Sequence, residues 1–218
     1  MRILLEDEYV LALHKPAGIA TETSKIGEKD LYSEAMNYIS VGNKQPYLAI
    51  LNRLDQPVEG IVLFAKDEKT AAVLSRFMQE GRFNKYYEAV VFGHVDKKKD
   101  TLMDYLIKDG RTNVSRIASK NEKGAKLSQL EYEVMEESEK TTKLKVHLLT
   151  GRHHQIRVQC AGMGHPIIGD AKYGTKESIE YSKNAGVRYV SLVANRLEFP
   201  HPYIKDKQYC VILEDSNL

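Results

Sequence analysis

The 218-residue sequence predicts a mixed α+β fold with mostly antiparallel strand pairing. Three observations predict it. Gly60-Ile61-Val62-Leu63-Phe64-Ala65 is a continuous β-branched and apolar run, too short for an independent helix and apolar on both faces, so it reads as a buried strand. Leu130, Tyr132 and Val134, then Leu144, Val146 and Leu148, alternate with polar residues on either side of a turn over 136–142, the pattern of a hairpin of half-buried strands. Apolar residues at helical spacing fall between such runs, and no internal repeat or linker separates them. The composition, 42% hydrophobic and 28% charged with only 6 Pro, is enough for a real core and excludes collagen-like, low-complexity and wholly disordered chains.

Taken in order, Ile3 to Leu13 reads as one strand ending at the tight turn Lys15-Pro16-Ala17-Gly18, where Pro fixes φ and Gly permits a left-handed residue. Leu31, Ala35, Tyr38 and Ile39 predict a short amphipathic helix that stops near Gly42-Asn43. After Asn52-Arg53-Leu54-Asp55-Gln56-Pro57 and the buried strand, Asp67 is the expected N-cap of a helix through Glu80. Ala71, Leu74, Phe77 and Met78 share one of its faces, and Gly81 is its stop. Lys85 to Gly93 reads as a second central strand, followed by Lys97-Lys98-Lys99 in an exposed loop. Between Arg111 and Lys126 five cations face one acid with little periodicity, a basic surface segment in a protein whose net charge is only +2. A helix follows Thr150-Gly151, carries His154, Ile156, Arg157, Cys160 and Ala161, and ends at Gly162 and Gly164. Tyr189 to Leu213 reads as one or two strands with a break at Pro200-His201-Pro202.

The length fits one domain or two tightly joined subdomains, and a single unit over 1–218 is expected. Cys160 and Cys210 lie far apart with no second Cys near either, so neither a disulfide framework nor paired-thiol zinc spacing is present, and a reducing cytosol is the natural setting. The opening reaches Glu6, Asp7 and Glu8 before any signal-like apolar stretch, and no run approaches the roughly 20 apolar residues of a membrane span. A cytoplasmic protein with no membrane partner is expected, with a monomer as the default.

Four segments carry candidate chemistry. In Arg53-Leu54-Asp55, a carboxylate at a strand edge beside a guanidinium suits a nucleophile or a base; a turn Asp capping its own backbone fits the same residues. In Lys85-x-Tyr87-x-Ala89, period two puts the three on one strand face, where Tyr87 either stacks on a planar ligand beside the small Ala89 or is an ordinary core tyrosine. Thr150-Gly151-Arg152-His153-His154-Gln155-Ile156-Arg157 is a dense run of donors at a helix entrance, fit to bind phosphate or pair a carboxylate, with His154 and Arg157 expected on one helix face. Gly164 to Gly174 is a Gly/Pro-punctuated loop that reads as a structural turn. The histidine spacing supports no metal, and no Walker loop or Gly-x-Ser-x-Gly elbow occurs.

In this order, over nearly the whole chain, these segments resemble the RluA-type pseudouridine synthases, which isomerise selected uridines in ribosomal and transfer RNA. The resemblance runs from Glu6-Asp7-Glu8-Tyr9-Val10 and Lys15-Pro16-Ala17-Gly18, through Arg53-Leu54-Asp55 with Gly60 to Lys66, and through Lys85-x-Tyr87-x-Ala89-x-Val91-x-Gly93. It continues in Leu149-Thr150-Gly151-Arg152-x-His154-Gln155-Ile156-Arg157 and closes on Gly164-His165-Pro166-Ile167-Ile168-Gly169-Asp170 with Tyr173-Gly174. It implies the α+β pseudouridine synthase fold, a largely antiparallel, bifurcated central sheet with flanking helices and the active cleft across it. It also implies Asp55 as the catalytic aspartate, Tyr87 as the tyrosine that packs on the target base, and Arg157 as the arginine that pairs with the aspartate. Arg53 matches the arginine two positions earlier, and Ile156 falls in the motif's apolar position. Lys85, Arg152, His154 and Gln155 are expected with them in substrate binding, and no cofactor or metal is implied. The expected partner is an rRNA or tRNA stem-loop, recognised by the catalytic domain without a separate N-terminal RNA-binding domain.

The chain departs from the family pattern at Asn52, where His is usual, and at Val58-Glu59, where Thr-Ser is common. Asn52 keeps a hydrogen-bonding side chain that does not titrate near neutrality. Glu59 sets a second carboxylate near Asp55, with its direction left open by strand alternation. Two other readings follow: a catalytically silent RNA-binding protein that retains the fold, and an unrelated metal-dependent hydrolase using Asp55, Glu59 and the histidines.

Overall fold

The computed structural model describes residues 1–23, 27–42 and 45–214. They divide into two compact units: Met1–Asn84 with the chain from Ala194 onward, and Lys85–Val193.

In the first unit, β1 (Arg2–Glu6) and β2 (Val10–Lys15) form a hairpin, and β2 pairs antiparallel with β4 (Glu59–Ala65) from Val10↔Ala65 to Lys15↔Gly60. The segment from Ile3 to Leu13 is therefore two strands, not one. The Asp7 carboxylate accepts from the Tyr9 and Val10 amides at 2.8 and 2.9 Å, and this local turn interrupts an otherwise strand-like composition. The short β3 (Ala49–Ile50) pairs with the end of β4; β10 (Leu192–Pro200) neighbours β4, and β11 (Gln208–Ile212) pairs antiparallel with β10. All seven residues of β4 are buried, as its unbroken apolar run predicts. Two helices complete the unit. In α1 (Leu31–Ser40) Asp30 caps the Ser33 amide and Leu31 and Ala35 are buried; Asn43, placed near its expected stop, lies outside the described residues. In α2 (Glu68–Gln79) Asp67 caps the Thr70 amide, Leu74 and Phe77 are buried, and Gly81 follows at φ 72°.

Gly60 sits at φ 140°, and a Cβ there would lie 2.5 Å from the Ala194 carbonyl oxygen and 2.6 Å from its nitrogen. Gly60→Ala combines backbone strain with a clash against main chain, and is expected to destabilise by about 3 kcal/mol, read as a lowered midpoint in urea unfolding.

The second unit is an antiparallel sheet in the order β5 (Asn84–Phe92), β9 (Thr141–Leu148), β8 (Lys126–Glu137), β6 (Lys99–Asp109), β7 (Val114–Ala118). The expected β8–β9 hairpin is present, with Leu130, Tyr132, Leu144 and Val146 buried. The β6–β7 hairpin occupies ground read as loop and basic surface. Only Leu106 and Ser115 of its residues are buried, so burial wrote no apolar alternation into its sequence. The helix α3 (Gln155–Gly162) lies against β6 and β7 and is buried from Gln155 through Cys160, where burial pushes the Cys160 thiol up to about 12. A further helix, α4 (Lys176–Asn184), is capped by Thr175. Among the described residues no helix is long and apolar enough to cross a membrane.

Candidate active site

In the first unit Asp55 lies in the turn between β3 and β4, half-buried. The peptides on both sides of it are tied to residues 15–21. Before it, the buried Leu54 receives Thr21 twice: the Thr21 hydroxyl donates to the Leu54 carbonyl at 3.0 Å and accepts from the Leu54 amide at 3.2 Å. After it, the Gln56 carbonyl accepts from the Gly18 amide at 2.8 Å and from Lys15 Nζ at 3.2 Å, and Gln56 Nε2 donates to the Gly18 carbonyl at 3.0 Å. The Asp55 carbonyl itself accepts from the Val58 amide at 3.0 Å. Lys15 is wholly buried and also donates to the carbonyls of Ile19 at 2.7 Å and Pro16 at 3.1 Å. Burial pushes its ammonium down to about 8 against the opposing pull of the Asp55 and Glu59 carboxylates. The Lys-Pro-Ala-Gly turn and the Asp55 turn thus form one hydrogen-bonded block with a buried cation inside it.

The departures noted in the sequence have structural partners. Asn52 bridges β4, donating to the Ile61 carbonyl at 3.0 Å and accepting from the Leu63 amide at 2.8 Å. Glu59 meets His14 Nε2 at 2.9 Å across the β2–β4 pair. Arg53, read beside Asp55 as an adjacent guanidinium, is exposed and pairs with Glu22 at 3.0 Å; the turn geometry sends its side chain toward solvent.

In the second unit Tyr87 is buried in β5 with Ala89 two positions on, as period two requires. Its neighbour Tyr86 faces the other way and stacks on His147 with centroids 4.6 Å apart. Lys85 is half-buried, and burial lowers its ammonium below the ordinary value; a Cβ on Gly151 would approach its Nζ to 3.5 Å.

The donor run at 150–157 is more internally engaged than its sequence suggests. His154 does not share a helix face with Arg157: it precedes α3 in the left-handed region at φ 55°, buried, with Nδ1 2.6 Å from the Tyr173 hydroxyl. Gln155, expected among the substrate donors, uses its amide within the unit. Nε2 donates to the Gln129 carbonyl and Gln159 Oε1 at 3.1 and 3.0 Å, and Oε1 accepts from the Thr150 hydroxyl and the Arg152 amide at 2.8 and 3.0 Å. It shapes the loop that presents Arg152, which is exposed with Nε on the Leu127 carbonyl at 3.0 Å. Ile156 is buried in α3.

Arg157, also buried, is held by Asp170 through two parallel bonds, Nε to Oδ2 at 2.7 Å and an Nη to Oδ1 at 2.8 Å. Asp170 Oδ1 further accepts from the Lys172 and Tyr173 amides at 2.9 and 3.2 Å. The Tyr173 ring lies 5.2 Å from the guanidinium, and its hydroxyl accepts from the Ser115 amide at 2.8 Å. His153 meets the Ser115 hydroxyl at 2.8 Å and stacks on His154. The structure therefore brings together Arg157, His154, Asp170 and Tyr173, fixing the direction of a buried cation. Asp170 and Tyr173 belong to the loop read as a plain turn; the available signal was that a buried arginine requires a carboxylate. Thr21 had no signal, since a single hydroxyl in a polar segment is unremarked by any periodicity. Arg111, Arg116, Lys120, Lys123 and Lys126 are all exposed, with Arg116 paired to Glu122.

Comparison with known proteins places the chain in one fold class, that of the pseudouridine synthases. A human protein, RNA pseudouridylate synthase domain containing 4, superposes with a TM-score of 0.81 over 99% of this chain and 89% of its own at 18% identity. Its counterpart, domain containing 1, gives 0.79 over 98% of this chain and 83% of its own at 22% identity. These likenesses establish the α+β pseudouridine synthase fold. The RNA pseudouridylate synthase family matches residues 9–162, and the chain belongs to that family, as an RluA-type member. Ribosomal large subunit pseudouridine synthase C of Vibrio cholerae is 31% identical over 206 residues, covering 94% of this chain and 63% of that protein. The dual-specificity RNA pseudouridine synthase RluA of Vibrio parahaemolyticus is 30% identical over 203 residues, covering 92% of this chain and 78% of that protein. The chain thus spans less than two thirds of the length of the first of these relatives.

Proposed function

We propose that this chain isomerises a uridine in RNA to pseudouridine, with Asp55 as the essential carboxylate. The observation that carries the reading is the family match over residues 9–162, a span that includes Asp55, Tyr87 and Arg157. The reaction breaks the bond from ribose C1′ to uracil N1, turns the base and rejoins it through C5, whose proton is then lost while N1 gains one. The enzyme must hold a detached base throughout. Asp55 acts on the ribose, by attack at C1′ or by removing a ribose proton to give a glycal. Tyr87 takes the face of the flipped base, and Arg157, aimed by Asp170, supplies a fixed positive charge. Lys85, Arg152 and the exposed cations from Arg111 to Lys126 hold the backbone. The substrate we propose is an rRNA or tRNA stem-loop, and the whole of 1–218 serves this one activity as a cytoplasmic monomer.

The rival reading, a silent RNA-binding protein, rested on Asn52 and on Val58-Glu59. The bonds of Asn52 to β4 and of Glu59 to His14 give two of these residues architectural reasons to be present and weaken that rival. The test is a chemical map of pseudouridine across total RNA from cells with and without the gene, complemented by wild type or Asp55→Asn. A site that vanishes on deletion and returns only with Asp55 supports the activity and names the RNA; no lost site favours the silent reading.

The backbone assignment has its own test. Lys120→Gln with Lys123→Gln removes two exposed charges, so RNA binding should weaken in proportion for all sequences. The slope of log affinity against log salt should fall by about 1.4, at roughly 0.7 per contact for single strands. Titrations of fluorescent RNA at several salt concentrations measure it, and an unchanged slope assigns the contacts elsewhere.

A further inference from the structure

We infer that Thr21 is a positioning residue for the Asp55 carboxylate, acting through the backbone of Leu54; the inference rests on the activity proposed above. The observation is the reciprocal pair in which one hydroxyl serves both main-chain groups of the residue before Asp55, donating to its carbonyl at 3.0 Å and accepting from its amide at 3.2 Å. Thr21 and Leu54 are both buried, so water does not replace that hydroxyl if it is lost. Leu54 is in no ladder, and its peptide groups would otherwise lie unpaired under a covered surface.

The arrangement matters because the Asp55 turn belongs to no regular element. Residues 52–58 run between β3 and β4 outside any strand, so side-chain bonds take over much of the task that a sheet ladder performs elsewhere. On the far side of Asp55, Gln56 is held by Gly18 and Lys15. Thr21 is the matching hold on the near side. With both flanking peptides fixed, the Asp55 Cα has one position and its carboxylate moves only through its own two side-chain torsions. Release of one side lets the turn pivot on the other, and displacement of a reacting group by about 1 Å lowers a rate by on the order of a hundredfold. The Thr21 hydroxyl is bonded to the main chain of Leu54 and is none of the groups we assign to RNA binding, so its loss should act on the chemical step and spare binding.

The experiment compares wild type with Thr21→Val, which keeps the shape and removes the hydroxyl, and Thr21→Ser, which keeps the hydroxyl. Total RNA from cells deleted for the gene is the probe, with excess enzyme at saturating and half-saturating concentrations, and Asp55→Asn is run in parallel. The inference expects the Val variant to turn over about a hundredfold more slowly at saturation, with half-saturation unchanged within twofold, and the Ser variant to stay within threefold of wild type. Gly81→Ala, a left-handed helix stop at φ 72° outside this network, serves as a control that loses stability without losing rate. If the Val variant does not remain folded by circular dichroism, Thr21→Cys replaces it, a near-isostere with a weaker donor, expected to slow turnover about tenfold with binding unchanged. A folded Val or Cys variant as fast as wild type, a Ser variant as slow as the Val variant, or a loss confined to binding overturns the inference. If wild type itself forms no pseudouridine, the activity reading fails instead.

Discussion

Asp55→Asn is expected to lower pseudouridine formation by at least about a thousandfold while leaving the protein folded and able to bind RNA. The amide is nearly isosteric with the carboxylate but neither attacks an anomeric carbon nor takes a ribose proton at neutral pH. The main-chain bonds described for the turn involve Leu54, Asp55 and Gln56, and these survive the substitution. The melting temperature should therefore stay near that of wild type. Rate and stability together make the test sharp: a collapse of rate with an unchanged melt assigns chemistry to the carboxylate, whereas a variant within tenfold of wild type removes Asp55 from the reaction.

The second large effect is on stability. Asp170→Asn should destabilise the protein by about 3–5 kcal/mol, because it leaves the buried Arg157 guanidinium facing a neutral amide. Asparagine offers one oxygen and two donors. It cannot keep both parallel bonds to Arg157 and also accept from the Lys172 and Tyr173 amides, which share Oδ1 with the guanidinium. Urea unfolding read by circular dichroism measures the loss. Arg157→Met combined with Asp170→Leu should recover part of it, since a buried pair exchanged for apolar groups avoids the desolvation of two charges. By the role proposed for Arg157, the recovered protein should remain inactive. A single Asp170→Asn variant as stable as wild type would mean that Arg157 reaches another acceptor at no cost.

Where burial wrote the pattern, the sequence was readable. β4 is an apolar run because both its faces are covered, and the β8–β9 hairpin alternates because only one face of each strand is. The cap of α2 was equally plain, as Asp67 acts through chemistry local to its own turn. The β6–β7 hairpin was hidden because strands with only one buried residue each tolerate polar residues at most positions, and the β1–β2 hairpin because Asp7 turns the chain with no Gly or Pro to mark it. Among the residues proposed for the chemistry, Asp55, Tyr87 and Arg157 stood out as members of ordered motifs, whereas the partners of Arg157 and of Leu54 did not. Asp170 lies thirteen positions from Arg157 and Thr21 thirty-three from Leu54, and no single-sequence periodicity reports a bond across such gaps.

The division of the chain also sets a timetable for its synthesis. The second unit is one continuous stretch, Lys85–Val193, and is entirely available once its last residue leaves the ribosome. The first unit is made in two instalments. β4 emerges early with β2 and the short β3 to pair with, but its third neighbour, β10, reaches the first unit only from Ala194 onward. At cellular elongation rates of about 5–20 residues per second, the most apolar strand of the protein waits on the order of ten seconds with part of one edge open. Nascent-chain quality control therefore meets this protein with a finished second unit and an unfinished first one.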